Sequence, residues 1–291
     1  MVGREASAAG ASTPVEYFVD DAEIARMLGI HHRTVQQMAR DGVIPAYPLG
    51  EGKRKTWRFL RSEIHEWMQA MVREGWVGRR TAVINQLRGL LIERGITVRR
   101  GRRYIEAALP GILEDADSKL SGALRVLLLQ AYSEMRHLQS QIDEADAVIR
   151  RMASEDEACQ RLVEVPGVGP VIATAMISAV GNGAAFKKGR GFAAWLGLVP
   201  GQYSTGGKQK LLGISKRGDK YLRRLFVHGA HAVLQQRVKQ SSGLSEWLGQ
   251  LTSRVHRNVA VVALANKLAR MSWAVLAKGE RYRPPLLAET A

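Results

Sequence analysis

A single cysteine, Cys159, stands in a chain of 291 residues. One thiol excludes an intramolecular disulfide and fits a reducing compartment. Its place in a helical pattern beside Arg161 and Leu162 reads as structural. The seven histidines are scattered, and no Cys/His cluster has metal-ligand spacing. Long hydrophobic runs are missing too. The apolar stretches are short or interrupted and the N-terminus has no apolar signal-peptide core, which argues against a membrane as partner and for the cytoplasm of a bacterium, on the nucleoid. Acids are short in supply: 27 Asp and Glu face 43 Lys and Arg, for a formal charge of +16 and a pI near 10.4. That imbalance is the electrostatic footprint of a nucleic-acid binder, with double-stranded DNA as the expected partner.

The excess is most concentrated in residues 186–224, FKKGRGFAAWLGLVPGQYSTGGKQKLLGISKRGDKYLRR. Lys187, Lys188, Arg190, Lys208, Lys210, Lys216, Arg217, Lys220, Arg223 and Arg224 meet one acid there, Asp219. Among them lies a turn, Tyr203-Ser204-Thr205-Gly206-Gly207. Glycines let backbone N–H groups approach an anion, and the surrounding cations hold a phosphate backbone. A solvated basic loop is the plain alternative.

Residues 1–14, rich in Gly, Ala and Ser, read as a disordered tail. Asp20 or Asp21 then caps a helix with Ile24, Ala25 and Leu28 at helical spacing, and Gly29 supplies a turn. A second helix, about 32–40, turns Val35, Met38 and Ala39 inward and Arg33, Thr34, Gln36, Gln37 and Arg40 outward. Two short helices joined at a glycine form the helix-turn-helix pattern, and Arg and Gln on its second helix are side chains that read base edges. Strand-like residues 43–47 and 56–59 flank a basic tip with Lys53, Arg54 and Lys55, a wing suited to phosphates. Ser62 caps a closing helix that buries Ile64, Trp67 and Met68. Residues 17–69 resemble the winged helix-turn-helix modules of excisionases and MerR-type regulators. A helical pair used for protein contacts is the alternative.

A basic segment follows, with Ile84, Leu87, Leu90 and Leu91 on one face of a helix that Gly95 ends. Leu124, Leu128, Ala131, Met135, Leu138, Ile142, Ala145, Ile149 and Met152 then alternate four-three spacing. That is the a/d seam of a coiled coil, its partner either a second copy of the chain or the 84–91 helix folded back. Ser154 to Glu157 reads as a capping box, and Val165-Pro166-Gly167-Val168-Gly169-Pro170 joins two helices as in a helix-hairpin-helix. Hairpin N–H groups around Gly167 and Gly169 are then candidates to hold a phosphate. The nearly all-apolar residues 258–270 read as a buried helix.

With these residues in view, 78–279 resembles the C-terminal part of the insertion-sequence transposases of the one-ten family, which are guided by a bridge RNA and related to Piv-type invertases. The matching words are RTAVINQLRGLL, VPGVGPVIATAMI, FAAWLGLVPGQYSTGGKQKLLGISKRGDKYLR and ALANKLAR. The resemblance implies a serine in the Tyr-x-Ser-Gly turn that attacks a DNA phosphodiester. Here that turn reads Tyr203-Ser204-Thr205-Gly206. Strict spacing selects Thr205, and Ser204 is the first choice because its primary hydroxyl is less hindered. Lys208, Lys210, Lys216, Arg217, Lys220 and Arg223 are expected to contact DNA around it.

The resemblance also implies an upstream RNase H-like domain with four acids (a DEDD set) for divalent metal. This chain carries the winged helix-turn-helix in that place, so no metal site is expected in it, and magnesium enters only if a partner supplies the acidic domain. Guide-RNA contacts, which the family makes through that domain, are left open. The expected fold is mainly α: winged helix-turn-helix at 15–72, basic linker helix and coiled coil at 73–153, transposase C-terminal domain with helix-hairpin-helix at 154–282 and a tail at 283–291. A homo-oligomer through the coiled coil is expected. Two functions stay open: strand exchange through a Ser or Thr phosphoester, or a non-catalytic DNA-binding regulator or remnant.

Overall fold

The computed structural model describes residues 17–41, 43–50, 56–115, 120–203, 210–236 and 243–284. The protein is mainly α, with two small two-stranded sheets, and divides into a unit ending at Ile64 and a unit beginning at His65.

In the first unit, α1 (Asp21–Leu28) starts where the Asp20 carboxylate accepts the Glu23 N–H at 2.8 Å. It stops at Gly29, whose left-handed φ of 67° a side chain would resist. α2 (His32–Arg40) follows, with the His31 imidazole accepting the Arg33 N–H. Ile24, Ala25, Val35, Ala39, Ile44, Phe59 and Ile64 are buried. Strands β1 (Tyr47–Leu49) and β2 (Thr56–Arg58) pair antiparallel, with Tyr47 opposite Arg58 and Leu49 opposite Thr56. A bridge between Val19 and Phe59 ties the start of the unit to the end of this wing. The Lys53-Arg54-Lys55 tip lies outside the described residues.

The closing helix differs from expectation. α3 (Arg61–Ile92) unites the closing helix of 15–72 with the expected linker helix and is continuous through Gly75 and Gly78. Each glycine weakens a helix by about 1 kcal/mol relative to alanine. Trp76, Val83, Ile84, Leu87 and Leu91 pack into an apolar cluster, and that burial outweighs the propensity deficit. Trp67 and Met68 are only half-buried.

The second unit has two apolar clusters. The first joins α3 to α4 (Arg102–Glu114) and to α5 (Gly122–Glu155) through Ile105, Leu109, Leu124, Leu128, Met135 and Leu138. The partner of the α5 seam is therefore α3 of the same chain. Arg73 donates to Asp146 and Arg80 to Gln139, so the two helices run antiparallel. Beyond this cluster Ile142, Ala145 and Ile149 continue the buried seam, and α5 packs on α6 (Glu157–Val163) and α7 (Pro170–Val180). The start of α6 is also corrected. The cap is Asp156, accepting the Cys159 N–H at 2.6 Å, while Ser154 still belongs to α5 and donates to the Arg151 carbonyl.

The second cluster gathers α6 and α7, α8 (Gly189–Trp195), α9 (Lys220–Gln235) and α10 (Gly243–Thr252) around α11 (Arg257–Lys278). α11 is long and apolar enough to cross a membrane by composition alone, yet half of that stretch is buried inside the fold. Ala260, Val261, Leu264, Ala265, Leu268 and Ala269 make it a core helix. Buried Cys159 lies in the same cluster, and burial pushes its thiol up, away from reactivity.

Candidate nucleic-acid interface

The basic stretch, read from sequence as a turn set among cations, contains a hairpin. β3 (Pro200–Gln202) pairs antiparallel with β4 (Leu211–Ile214), with Pro200 opposite Ile214 and Gln202 opposite Leu211. The Tyr203 N–H donates to the Lys210 carbonyl at 2.9 Å and closes the last rung. Ser204, Thr205 and Lys208 lie beyond that rung, outside the described residues.

The base of the hairpin is pinned by backbone contacts that only glycine permits. A Cβ on Gly197 would fall 2.1 Å from the Arg217 carbonyl oxygen, and one on Gly218 would fall 1.6 Å from that of Trp195. Both have positive φ, 70° and 94°. Between them Lys216 holds a left-handed φ of 55°, unusual for a lysine. The Ser215 N–H donates to the Val199 carbonyl at 2.8 Å, and the Asn266 amide of α11 donates to Leu198 at 3.1 Å. Asp219 is committed to structure: its carboxylate accepts the Leu222 N–H at 2.8 Å and caps α9. Burial pushes its pKa up, against backbone N–H bonds and Arg223 that pull it down.

The cations divide into two groups. Arg223, expected to touch DNA, donates instead to the carbonyls of Leu196 at 3.0 Å and Arg217 at 3.4 Å, as an internal brace. Arg224 pairs with Glu74 at 2.7 Å. Lys187, Lys188, Arg190, Lys210, Lys216, Arg217 and Lys220 are exposed and, among the described residues, pair with no carboxylate. Uncompensated charge of this density favours a polyanion.

The helical hairpin is present, but packing accounts for one of its glycines. Gly167 (φ 76°) lies against α9, where a Cβ would fall 2.7 Å from the Gly229 carbonyl oxygen. This close approach of two backbones is by itself a reason for glycine at 167. Gly169 caps α7 with open space beside it.

In the first unit Arg33, Thr34, Gln37 and Arg40 are exposed on one face of α2. Gln36 is not among them. It is half-buried, and its amide donates to the Asp21 carboxylate, joining α2 to α1. Gln37 donates to Asp41 at 2.9 Å on the surface, where exchange with a base edge costs little. Arg33→Ala and Arg40→Ala are therefore expected to weaken duplex binding, measured by fluorescence anisotropy, with an unchanged thermal midpoint. Gln36→Ala should do the reverse, costing about 1 kcal/mol of stability for the lost bond. Equal behaviour of the three variants would overturn this division.

Six of the described acids before α4 are engaged. Asp21 takes Gln36, Glu23 takes Arg61, Asp41 takes Gln37, Tyr47 donates to Glu63, Ser178 donates to Glu66 and Glu74 takes Arg224. Among the described residues, no three His, Cys, Asp or Glu side chains come together as a metal-holding group. These carboxylates do not fit the divalent-metal set that the family's upstream domain implies.

Comparisons with known proteins agree with this geometry. A helix-turn-helix domain family matches residues 18–72, and the family described as "Transposase IS116/IS110/IS902 family" matches residues 159–246. Among curated relatives, the "Probable family 20 transposase" of Pseudomonas aeruginosa is 42% identical over 228 residues, 77% of this chain and 68% of the relative. The "Transposase for insertion sequence element IS1111A" of Coxiella burnetii is 38% identical over 79% of this chain and 64% of the relative. The "Transposase for insertion sequence element IS1328" of Yersinia enterocolitica is 41% identical over 75% and 65%. The chain thus spans about two thirds of the length of these relatives. With a DNA-binding helix-turn-helix module at its N-terminus, the chain belongs to the IS116/IS110/IS902 family of transposases.

Proposed function

We propose that this protein exchanges DNA strands in transposition, with Ser204, or Thr205 in its place, as the nucleophile. The observation that carries this reading is the pinned hairpin: two hydroxyls follow its last rung at Tyr203 in sequence, and the same 187–220 stretch carries seven exposed cations. The hydroxyl oxygen would bond to a phosphorus of the DNA backbone as one P–O bond to a deoxyribose oxygen breaks. The hydroxyl proton is lost, and the released deoxyribose oxygen leaves as a DNA hydroxyl. Attack by a second DNA hydroxyl on the phosphoester then restores the side chain and joins the new strands. Lys210, Lys216 and Arg217 would offset the charge that grows on phosphorus-bound oxygens. The α2 face and the wing would hold the protein on duplex DNA.

The engaged acids favour a second reading, a DNA-binding regulator or remnant without catalysis. Under the first reading a magnesium site must come from acids of another chain. A guide RNA belongs to the first reading as a further partner. We also propose self-association in the bacterial cytoplasm, through surfaces other than the α5 seam, which α3 and α4 already cover.

The test is a covalent trap. Protein with any co-purifying RNA is mixed with supercoiled DNA and Mg²⁺, denatured and assayed for protein-linked DNA. The expected result is an adduct lost in Ser204→Ala and kept in Thr205→Ala. Loss in Thr205→Ala alone moves the nucleophile one residue. No adduct from the parent protein, with duplex binding intact, rejects strand exchange by this chain alone and leaves a regulator, a remnant or a subunit that needs the acids of another chain.

A further inference from the structure

Beside the hairpin lies a groove of about 1270 Å³, within the second unit. It exceeds the roughly 300–1,000 Å³ usual for a small-ligand pocket. β3 and β4 form one wall through Pro200 and Ile214, and Leu212 of β4 joins Val259, Val262 and Ala263 of α11 in the apolar floor. Trp247 and Trp273 also line it. The floor is not sealed: Leu212 is 53% exposed and Val259 56%. Lys188, Arg190, Lys216, Lys267, Arg270 and Lys278 also line it, and the lining contains no carboxylate among the described residues. The Lys267 ammonium lies 4.2 Å from the centre of the Trp247 ring.

The two properties together narrow the occupant. A DNA duplex keeps its bases stacked inside and needs only cations from a protein surface, so an apolar floor adds nothing to its binding. An apolar partner surface has no use for six cations without an acid. An unpaired stretch of nucleic acid needs both, because its bases have open apolar faces and its phosphates remain charged. Asn258 at the mouth adds a side-chain amide of the kind that bonds base edges. The wall is the same hairpin whose last described rung, at Tyr203, is followed in sequence by Ser204 and Thr205. That neighbourhood favours DNA over RNA as the strand.

We infer that the groove between the hairpin and α11 holds an unpaired segment of a DNA strand, with base faces on the Val259–Leu212 floor and phosphates at the Lys188, Arg190, Lys216 and Lys267 rim. The inference rests on the strand-exchange reading for its choice of DNA. It means that DNA is opened, or arrives open, beside the hairpin.

The experiment compares an intact labelled duplex with the same duplex interrupted by a short single-stranded gap carrying 2-aminopurine. Binding is followed by anisotropy, and stacking of the probe by its fluorescence. The full-length protein is expected to bind the gapped DNA about tenfold more tightly, the order of one base stack, with the probe emission altered by its seat on the floor. Val259→Glu should erase that preference while the thermal midpoint stays unchanged. Lys267→Gln, which leaves the floor intact, should reduce the preference severalfold and serves as a second reading of the site. Equal binding of gapped and intact DNA overturns the inference, as does a preference that survives both substitutions. Tighter binding of a single-stranded RNA than of the matching DNA overturns the assignment to DNA. The two readings fail separately: a covalent adduct without a gap preference rejects the groove alone, and a gap preference without an adduct rejects only strand exchange by this chain unaided.

Discussion

Gly218→Ala is expected to remove a large part of the stability of the C-terminal unit. The added methyl carbon would stand 1.6 Å from the Trp195 carbonyl oxygen, and φ is 94°. The atom it meets is backbone, held in turn by the Arg223 guanidinium on the neighbouring Leu196 carbonyl, so no side chain can swing aside. Overpacking costs typically about 1–3 kcal/mol and a disfavoured backbone conformation about 1–3 more. A loss on the order of 3–5 kcal/mol is large against the roughly 5–15 kcal/mol by which domains are stable. Gly89→Ala is the matched control. Gly89 is exposed in α3 with open space around it, so alanine there should stabilise by about 0.5–1 kcal/mol. Thermal melts of the two variants beside the parent protein decide the point. Unchanged melting of Gly218→Ala would show that the turn yields, and that the hairpin base is not pinned as described.

The second large effect is on DNA affinity. Lys187, Lys188, Arg190, Lys210, Lys216, Arg217 and Lys220 are exposed and unpaired among the described residues. If each neutralises one phosphate, log K falls with log salt at a slope of about −0.9 per phosphate, or about −6 in total. From 50 to 200 mM salt that is a loss of about 6,000-fold. Contacts from the α2 face steepen it. Anisotropy titrations of one duplex across this range measure the slope directly, and Lys216→Gln should lower its magnitude by about one. Arg223→Gln should leave the slope near its parent value and lower the melting point, because its guanidinium braces Leu196 and Arg217. A flat salt response would reject both the strand-exchange and the regulator readings.

These expectations separate residues that look alike in sequence. Arg217 and Arg223 are both cations of one basic run, yet one faces water and the other closes a turn. Gln36 and Gln37 are neighbours on a helix of strong amphipathic character, and the first is spent on Asp21. Composition and spacing are blind to this, because which carbonyl or carboxylate lies within reach depends on segments distant in the chain.

Much was nonetheless legible in the order of residues. Asp20, Gly29 and the apolar spacing of Ile24, Ala25 and Val35 specify two short helices locally, since caps and periodicity act within a few residues. The four-three pattern from Leu124 to Ile149 specified one long helix with a buried stripe. The charge balance and the repeated words of the C-terminal part specified a DNA-binding transposase family member. What covers the α5 stripe was decided by tertiary structure, because an a/d seam is satisfied equally by a second chain or by α3 folded back. The continuity of α3 through Gly75 and Gly78 was decided there as well, by burial that outweighs local propensity. So was the hairpin: strands as short as β3 and β4, containing Pro200, Gly201 and Gly213, have little β signal of their own. They pair because Gly197 and Gly218 let the flanking backbones touch, and that contact joins residues twenty positions apart in the chain.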